Sequence, residues 1–405
     1  MQSCLDLIPD DVNRVFVAFS GGLDSSVLLH LLVSKSRNFQ VIPWHFNHGL
    51  LDIAPRMEAF CIEQAASYGL EIRIDQLDLK NIDSNIEAEA RHQRYLLFAE
   101  HTRAGDCIVT AHHADDQAET FLLNALRGSG SAGLRGIAKR RLLGDALLLR
   151  PFLNFSRKQL EQYAAQQEIP WFNDPSNQSN RFDRNYLRNQ VIPAIRERWS
   201  HFQDALSTAS ELQSETQDLL DEIAALDYAE LKAADSDGIA TLNLPGLLQL
   251  SPGRRKNLVR YWIVEAGLPT IPQARLQELM NQLHAKPGAT PEIAMPEYSI
   301  RLYDQRLFLV REGRNQSDCG VFEFGLNTNI EIKQLGLKLQ REAIFSQLKL
   351  SDHGQSLSLR YRDKGEENAD RHRLKRLFQK HRVPPWERGS IAQVYLDGRL
   401  EGLLL

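Results

Sequence analysis

Two kinds of pattern alternate through the first 200 residues. Short runs rich in Val, Ile, Leu and Phe, at Val15–Phe19, Val41–His45, Leu70–Asp75, Asp106–Thr110 and Ala146–Arg150, predict strands. Between them, apolar residues recur at three- and four-residue spacing over Ser25–Ser34, Arg56–Tyr68, Ile86–Thr102, Ala114–Arg127 and Ser156–Gln166, which predicts helices. Strand and helix in strict alternation make βαβ units. The fold class is therefore α/β, with a doubly wound, mostly parallel sheet.

Beyond residue 200 the pattern changes. From His201 to His284 the spacing is helical, with SELQSETQDLLDEIAALDYAELKAA as its longest periodic segment. A Pro/Gly-rich stretch from Ala285 then leads into strand-like alternation, and a basic helix-like segment lies near the end. A chain of 405 residues exceeds one comfortable core. The expected division is an α/β domain over 1–200, a small helical domain over 201–315 and a small C-terminal α+β domain over 330–405.

Composition narrows the classes. The chain has no apolar run long enough for a membrane span and no basic-then-apolar start of a signal peptide, so a cytoplasmic protein is expected. Cys4, Cys61, Cys107 and Cys319 are scattered without a C-x-x-C pair, so they read as buried free thiols. The net charge of −4 is uninformative, but its distribution is not: Arg360 to Arg388 holds ten Lys/Arg against five acids. RHRLKRLFQKHR, inside it, contains no acid.

The chemistry starts at the first strand's end, SGGLDSS, covering Ser20, Gly21, Gly22, Leu23, Asp24, Ser25 and Ser26. Paired glycines permit positive φ and close approach, and the free N–H groups of a helix start face whatever anion docks there. A phosphate suits that turn. The Walker A lysine is absent, so amides, hydroxyls and a metal must meet the charge. GSGSAG, residues 128–133, satisfies G-x-G-x-x-G but follows a helical pattern, so it reads as a flexible loop and not a dinucleotide site.

Ligands of doubly wound sheets collect at the carboxyl ends of strands, so residues just after each strand share a crevice. His45, Asn47 and His48 follow the second strand; TAHHADDQAETFLLNALRGSGSAGLRG follows the fourth. There Asp116 and Glu119 lie three apart on a helix with His112 just ahead of it, a carboxylate pair suited to Mg²⁺ beside phosphates. NIEAEARHQRY puts Glu87, Arg91, Arg94 and Tyr95 near one helical stripe.

SGGLDSS resembles the PP-loop of the ATP pyrophosphatases. Together with HFNHG, NIEAEARHQRY, the HHADDQAET segment, DPSNQSNRFDRNYLRNQVIP, LSPGRRKNLVRYWI and RHRLKRLFQKHRVPPWER, the chain resembles the tRNA(Ile)-lysidine synthases over nearly its whole length. That resemblance implies ATP as co-substrate with Mg²⁺, and as partners free L-lysine and an isoleucine tRNA with a CAU anticodon. The implied reaction adenylates O2 of the wobble cytidine, after which the lysine ε-amine attacks C2 and expels AMP.

It further implies that residues 20–26 hold the pyrophosphate portion, that Asp24 and Asp116 carry Mg²⁺, that His112 and Glu119 position lysine or move its proton, and that Arg91 meets a phosphate, with Arg94 competing for that role. RNA contacts are expected from Arg127, Arg135, Arg181, Arg184, Arg188 and from Arg371, Arg373, Lys375 and Arg376, with Phe155, Phe182 and Tyr186 as candidates to stack on a splayed base. Two other readings stay open: a tRNA thiolation enzyme on the same scaffold, which needs a reactive cysteine, and a non-catalytic nucleotide-gated RNA-binding protein. Oligomeric state is open between monomer and homodimer.

Overall fold

The computed structural model describes residues 2–34, 39–49, 53–79, 86–173, 180, 183–233, 241–284, 290–311, 321–324, 330–332, 337–339, 341–349, 356–361 and 370–404. The chain divides into two compact units, Met1–Leu219 and Leu220–Leu405.

The first unit is built on β1 (Arg14–Ala18), α1 (Leu23–Ser34), β2 (Gln40–Asn47), α2 (Ala54–Ser67), β3 (Arg73–Gln76), α3 (Ile86–His101), β4 (Asp106–Val109), α4 (Ala114–Leu126), α5 (Ser131–Leu134), β5 (Arg140–Leu143), β6 (Ala146–Leu149) and α6 (Arg157–Gln166). After it come α7 (Asp183–Tyr186), a π-helical turn over Leu187–Val191, and α8 (Ile192–Arg198). The six-stranded sheet has the order β3-β2-β1-β4-β6-β5. All neighbours are parallel except β5, which runs antiparallel to β6.

Alternation along the strands explains why the sheet is covered on both faces. Val15 and Val17 of β1, Cys107 and Val109 of β4 and Leu149 of β6 enter one core with Leu28 and Leu29 of α1 and Leu160 of α6. Phe16, Ile108 and Leu148, one step along each strand, enter the opposite core with Trp44 of β2 and Phe98 of α3. A period of two therefore sends each strand's side chains to both layers. α1 is buried along most of its length, from Leu23 to Leu32.

β5 is an element that the pattern analysis does not predict. Its four residues, RRLL, are mostly exposed, and it joins β6 through the two-residue turn Gly144-Asp145 with Gly144 at φ +59°. GSGSAG, expected as a loop, contains the helical turn α5, held by Asn124 Nδ2 donating to the Gly133 carbonyl at 2.8 Å and Ser131 Oγ donating to Gln217 at 2.7 Å.

α9 (Phe202–Leu231) begins in the first unit and ends in the second. The second unit then holds β7 (Lys232–Ala233), β8 (Thr241–Asn243), α10 (Leu244–Gln249), α11 (Pro252–Glu265), α12 (Gln273–Gln282), β9 (Glu292–Ala294), β10 (Tyr298–Tyr303) and β11 (Arg306–Arg311). A five-stranded sheet of order β7-β8-β11-β10-β9 packs its Leu242, Ile300 and Leu309 against Leu258 and Trp262 of α11 and Leu276 of α12.

β12 (Val321–Phe324), β13 (Ile330–Ile332), β14 (Leu337–Leu339), α13 (Arg341–Leu348), β15 (Leu357–Arg360), α14 (Arg371–Lys380), β16 (Ala392–Leu396) and β17 (Arg399–Leu404) complete the chain. Their antiparallel sheet has the order β12-β15-β16-β17. α14 is anchored by buried Leu374 and Phe378, four residues apart, while Arg371, Arg373, Lys375 and Arg376 are exposed. The expected α+β character of the end of the chain is therefore present. Among the described residues no helix is long and apolar enough to cross a membrane.

Leu29 is fully buried in the core between α1 and the sheet. Leu29→Ala is expected to lower the stability of the first unit by about 3 kcal/mol, read from its transition in urea; a loss under 0.5 kcal/mol would contradict this packing.

Candidate active site

Strand order reverses between β1 and β4: the chain leaves β1 toward β2 on one side and leaves β4 toward β6 on the other. The carboxyl ends of these two neighbours open one crevice. Ser20–Ser26 leave β1 into it, and Thr110–Asp116 leave β4.

The first loop is fixed from several directions. Gly21 sits at φ +76°, and a Cβ there would meet the Cys61 Sγ at 2.9 Å, so only glycine fits on both counts. Its carbonyl accepts the Phe172 N–H at 2.8 Å and the Ser26 hydroxyl at 3.3 Å. Ser26 also reaches Gln64 Oε1 at 3.2 Å, and Gln64 Nε2 donates to the Pro170 carbonyl at 3.0 Å. Ser20 and Ser25 share a hydroxyl contact at 3.1 Å, and Ser25 Oγ donates to the Gly22 carbonyl at 3.0 Å. These bonds hold a turn whose amides lie at the N-terminus of a buried helix.

At the end of β2, His45 is buried with Nδ1 3.0 Å from the Phe19 carbonyl, and burial lowers its pKa. Asn47 is buried as well and donates to Glu58 at 2.6 Å while accepting the Gly49 N–H at 2.9 Å. Both therefore brace the backbone beside the loop. His48 is half-buried at the same strand end.

The segment after β4 is a charge network centred on His113, not on His112. His113 Nε2 lies 3.7 Å from Asp24 Oδ2 and 3.5 Å from Asp116 Oδ2, and Nδ1 lies 3.6 Å from Asp115 Oδ2. Burial works against protonating this imidazole, yet Asp24, Asp116 and Asp115 outweigh it and raise its pKa. His112, the preceding residue, behaves oppositely. Burial, with Arg150, Arg91 and Arg184 adding to it against Asp116, pushes it down to about 3, and its Nδ1 is 2.8 Å from the Thr110 hydroxyl. The two adjacent imidazoles are thus shifted in opposite directions, His113 toward its protonated form and His112 to the neutral one.

Arg184 and Arg188, expected as RNA contacts, instead face these carboxylates. Arg188 Nε donates to Glu119 Oε1 at 2.6 Å and Arg184 Nε to Glu119 Oε2 at 2.8 Å, while the Nη2 of each reaches Asp116 Oδ1 at 3.2 and 3.3 Å. α7 and the π-helical turn place the two arginines on one side, four residues apart. Burial would raise the Asp116 pKa, but His113 and Arg184 prevail and hold it at about 2. Glu119 is 1% exposed. Arg196 completes the set with Asp115 at 3.0 Å.

Asp24 Oδ1 is buried without a hydrogen-bond partner, and Asp116 Oδ2 accepts the His113 N–H at 3.0 Å with a lone pair to spare. Among the described residues no three His, Cys, Asp or Glu side chains form a metal cage. An orphaned carboxylate oxygen beside a second carboxylate fits Mg²⁺, which keeps waters and takes phosphate oxygens for its other ligands.

The remaining candidates are distributed differently. Arg91 lies 4.8 Å over the Tyr95 ring, near enough to Arg150 and His112 to act on both, whereas Arg94 Nε donates to the Ala90 carbonyl at 3.3 Å within its own helix. Arg127 and Arg135 are exposed, Arg127 3.6 Å from Asp183. Arg181 and Phe182 lie outside the described residues, as do Cys319 and the Glu87 side chain. Tyr186 is exposed, and Phe155 is half-buried, packed edge-on to Phe152 against the core. Cys61 and Cys107 are buried, and burial pushes each thiol up to about 12; Cys4 is buried too. Such thiols do not make thiolates for sulfur transfer.

Sequence reasoning missed His113 as the hub, Gln64, Arg196, and the pair Arg141 and Arg150. The signal for the last was available: a lone Arg closing the apolar run ALLLR.

A PP-loop domain profile matches residues 2–195, a TilS substrate binding domain profile residues 242–308, and a TilS substrate C-terminal domain profile residues 357–401. Among full-length relatives, the tRNA(Ile)-lysidine synthase of Serratia proteamaculans is 36% identical over 396 residues, covering 96% of this chain and 89% of that one. The enzyme of the same name from Pectobacterium atrosepticum is 34% identical, with 95% and 88% covered, and that of Alkalilimnicola ehrlichii 36% identical, with 93% and 85% covered.

The charge on His113 sets a pH dependence. Its folded pKa lies above the ordinary value near 6.5, so its stabilisation is complete below about pH 6.5 and fades as pH rises through the folded pKa. Histidine NMR titration is expected to show one imidazole titrating above that value and another, His112, neutral at every pH above about 4. Titration of His113 below 6 would contradict the network.

Proposed function

Because the chain belongs to the tRNA(Ile)-lysidine synthase family, we propose that it joins L-lysine to C2 of the wobble cytidine of an isoleucine tRNA at the expense of ATP. The observation that carries this reading is the shared crevice. A phosphate-binding turn at the end of β1 opens beside the neutral imidazole and ion-paired carboxylates at the end of β4.

The residues divide the work. Amides and hydroxyls of Ser20–Ser26 grip the β- and γ-phosphates, and O2 of cytidine attacks the α-phosphorus. The bond from that phosphorus to the bridging oxygen breaks, and pyrophosphate leaves. Mg²⁺, held by Asp24 and Asp116, would offset the charge on the phosphates. Lysine then presents its ε-nitrogen to C2, the C2–O2 bond breaks, and AMP departs with that oxygen.

The lysine ammonium must first lose a proton. That proton leaves to solvent; His112, held neutral with a pKa of about 3, is too weak a base to take it and instead offers a lone pair that accepts a hydrogen bond from the amine and positions it. Glu119 and Asp116 supply the negative charge that orients the ammonium; Arg184 and Arg188 pair with both, and His113 and Arg184 hold Asp116 ionised against its burial. The exposed cations of α14 meet RNA phosphates, with Leu374 and Phe378 fixing the helix that carries them.

A thiolation reading loses its chemistry where Cys61 and Cys107 stay protonated. Labelled lysine, ATP and an unmodified isoleucine tRNA transcript are expected to give label in RNA with one pyrophosphate released per lysine joined. Glu119→Gln is expected to lower that rate about a hundredfold or more with ATP affinity retained. No incorporation by the unaltered chain would refute the reading.

Neutralising Arg371, Arg373, Lys375 and Arg376 together is expected to weaken tRNA binding and flatten its dependence on salt without altering ATP affinity. Filter binding across a salt series checks it, and an unchanged slope would contradict the assignment.

A further inference from the structure

Next to His112 stands a group of cations that has no counter-charge among the described residues. Arg91 and Arg141 each lie 4.8 Å over the Tyr95 ring, and Arg150 Nη2 donates to the Tyr95 hydroxyl at 3.3 Å. Arg150 follows β6 directly, at a carboxyl strand end like those that form the crevice, and it is 2% exposed. Its Nη1 donates to the Ala138 carbonyl, but its Nε is buried without a partner. Among the described residues no carboxylate forms an ion pair with any of the three arginines.

Contrast this with the crevice a few residues away. There Arg184, Arg188 and Arg196 are matched by Asp116, Glu119 and Asp115. A buried guanidinium facing only a phenol, a carbonyl and two more cations is an expensive arrangement unless a negative ligand completes it. Burial and the neighbouring guanidiniums do lower the Arg150 pKa, and the three cations lower that of Tyr95 despite its burial. The arrangement suits a tetrahedral, multi-oxygen anion: Arg offers forked donors, Tyr one more, and Arg91 and Arg141 remain partly open to solvent.

We propose that Arg150, Arg141, Arg91 and the Tyr95 hydroxyl form a phosphate-binding subsite at the end of β6, separate from the PP-loop. It rests on the ligase reading in the sense that this crevice takes both a nucleotide and RNA. Its ligand is a phosphodiester-type phosphate, supplied either by the α-phosphate of the nucleotide or by the backbone flanking the reactive cytidine. Arg150 is the floor that fixes Tyr95 and contributes charge; Arg91 and Arg141 are the donors at the mouth.

Two binding measurements on the full chain separate the sources, and neither needs lysine or turnover. One titrates a non-hydrolysable ATP analogue without RNA; the other titrates the tRNA transcript without nucleotide. Arg150→Gln is expected to weaken one of them about tenfold or more, with Arg150→Lys recovering part of the loss. A change confined to the analogue assigns the α-phosphate; a change confined to RNA, with the salt slope reduced by about one, assigns the backbone.

Should Arg150→Gln fail to fold, exposed Arg141→Gln serves in its place and is expected to weaken the same ligand several-fold. Affinities within twofold of the unaltered chain in both titrations, for a folded variant, overturn the subsite. If the unaltered chain joins no lysine while Arg150→Gln still weakens one of the two titrations, the ligase reading fails and the subsite stands.

Discussion

The reversal of strand order between β1 and β4 is the constraint on which the rest depends. Two parallel neighbours, paired from Arg14 with Asp106 to Val17 with Val109, send their chains to opposite sides and leave their carboxyl ends uncovered. Side chains of both strands enter the cores on the two faces of the sheet, which holds the pair between two packed layers. The loop of Ser20–Ser26 and the segment Thr110–Asp116 are therefore brought together by the sheet itself, and chemistry is assembled from residues ninety positions apart.

What fills that opening is a partition of charge. His113 is drawn toward its protonated form by Asp24, Asp115 and Asp116, and two arginines pair with Glu119 and Asp116. His112 is left uncharged in the middle. Neighbouring histidines shifted in opposite directions, beside ion-paired carboxylates, give the crevice an electrostatic pattern set before any ligand arrives, so less reorganisation accompanies reaction. The cost of burying so many ions is offset only where each finds its partner; among the described residues the group around Arg150 stands apart in having no carboxylate beside it.

The central strands of the first sheet were legible in the chain because a strand buried on both faces is an unbroken apolar run, as in RVFVA and DCIV. The turn SGGLDSS was legible because its chemistry is local: two glycines, hydroxyls and a helix start within seven residues. β5 was not, since a four-residue edge strand with two exposed arginines carries no alternation. Nor were the partners of Glu119, because Arg184 and Arg188 stand 65 and 69 residues further on and their segment looked like a basic RNA face. His113 was passed over for His112 for a related reason. Adjacent residues at a strand end point to opposite sides, and only the fold decides which of them meets Asp24.

The most direct test of the account is a crystal structure of the chain with a non-hydrolysable ATP analogue and Mg²⁺. The account predicts that the two outer phosphates accept hydrogen bonds from the amides of residues 20–26, with the α-phosphorus turned toward the end of β4. Finding the triphosphate bound anywhere away from that turn would contradict it.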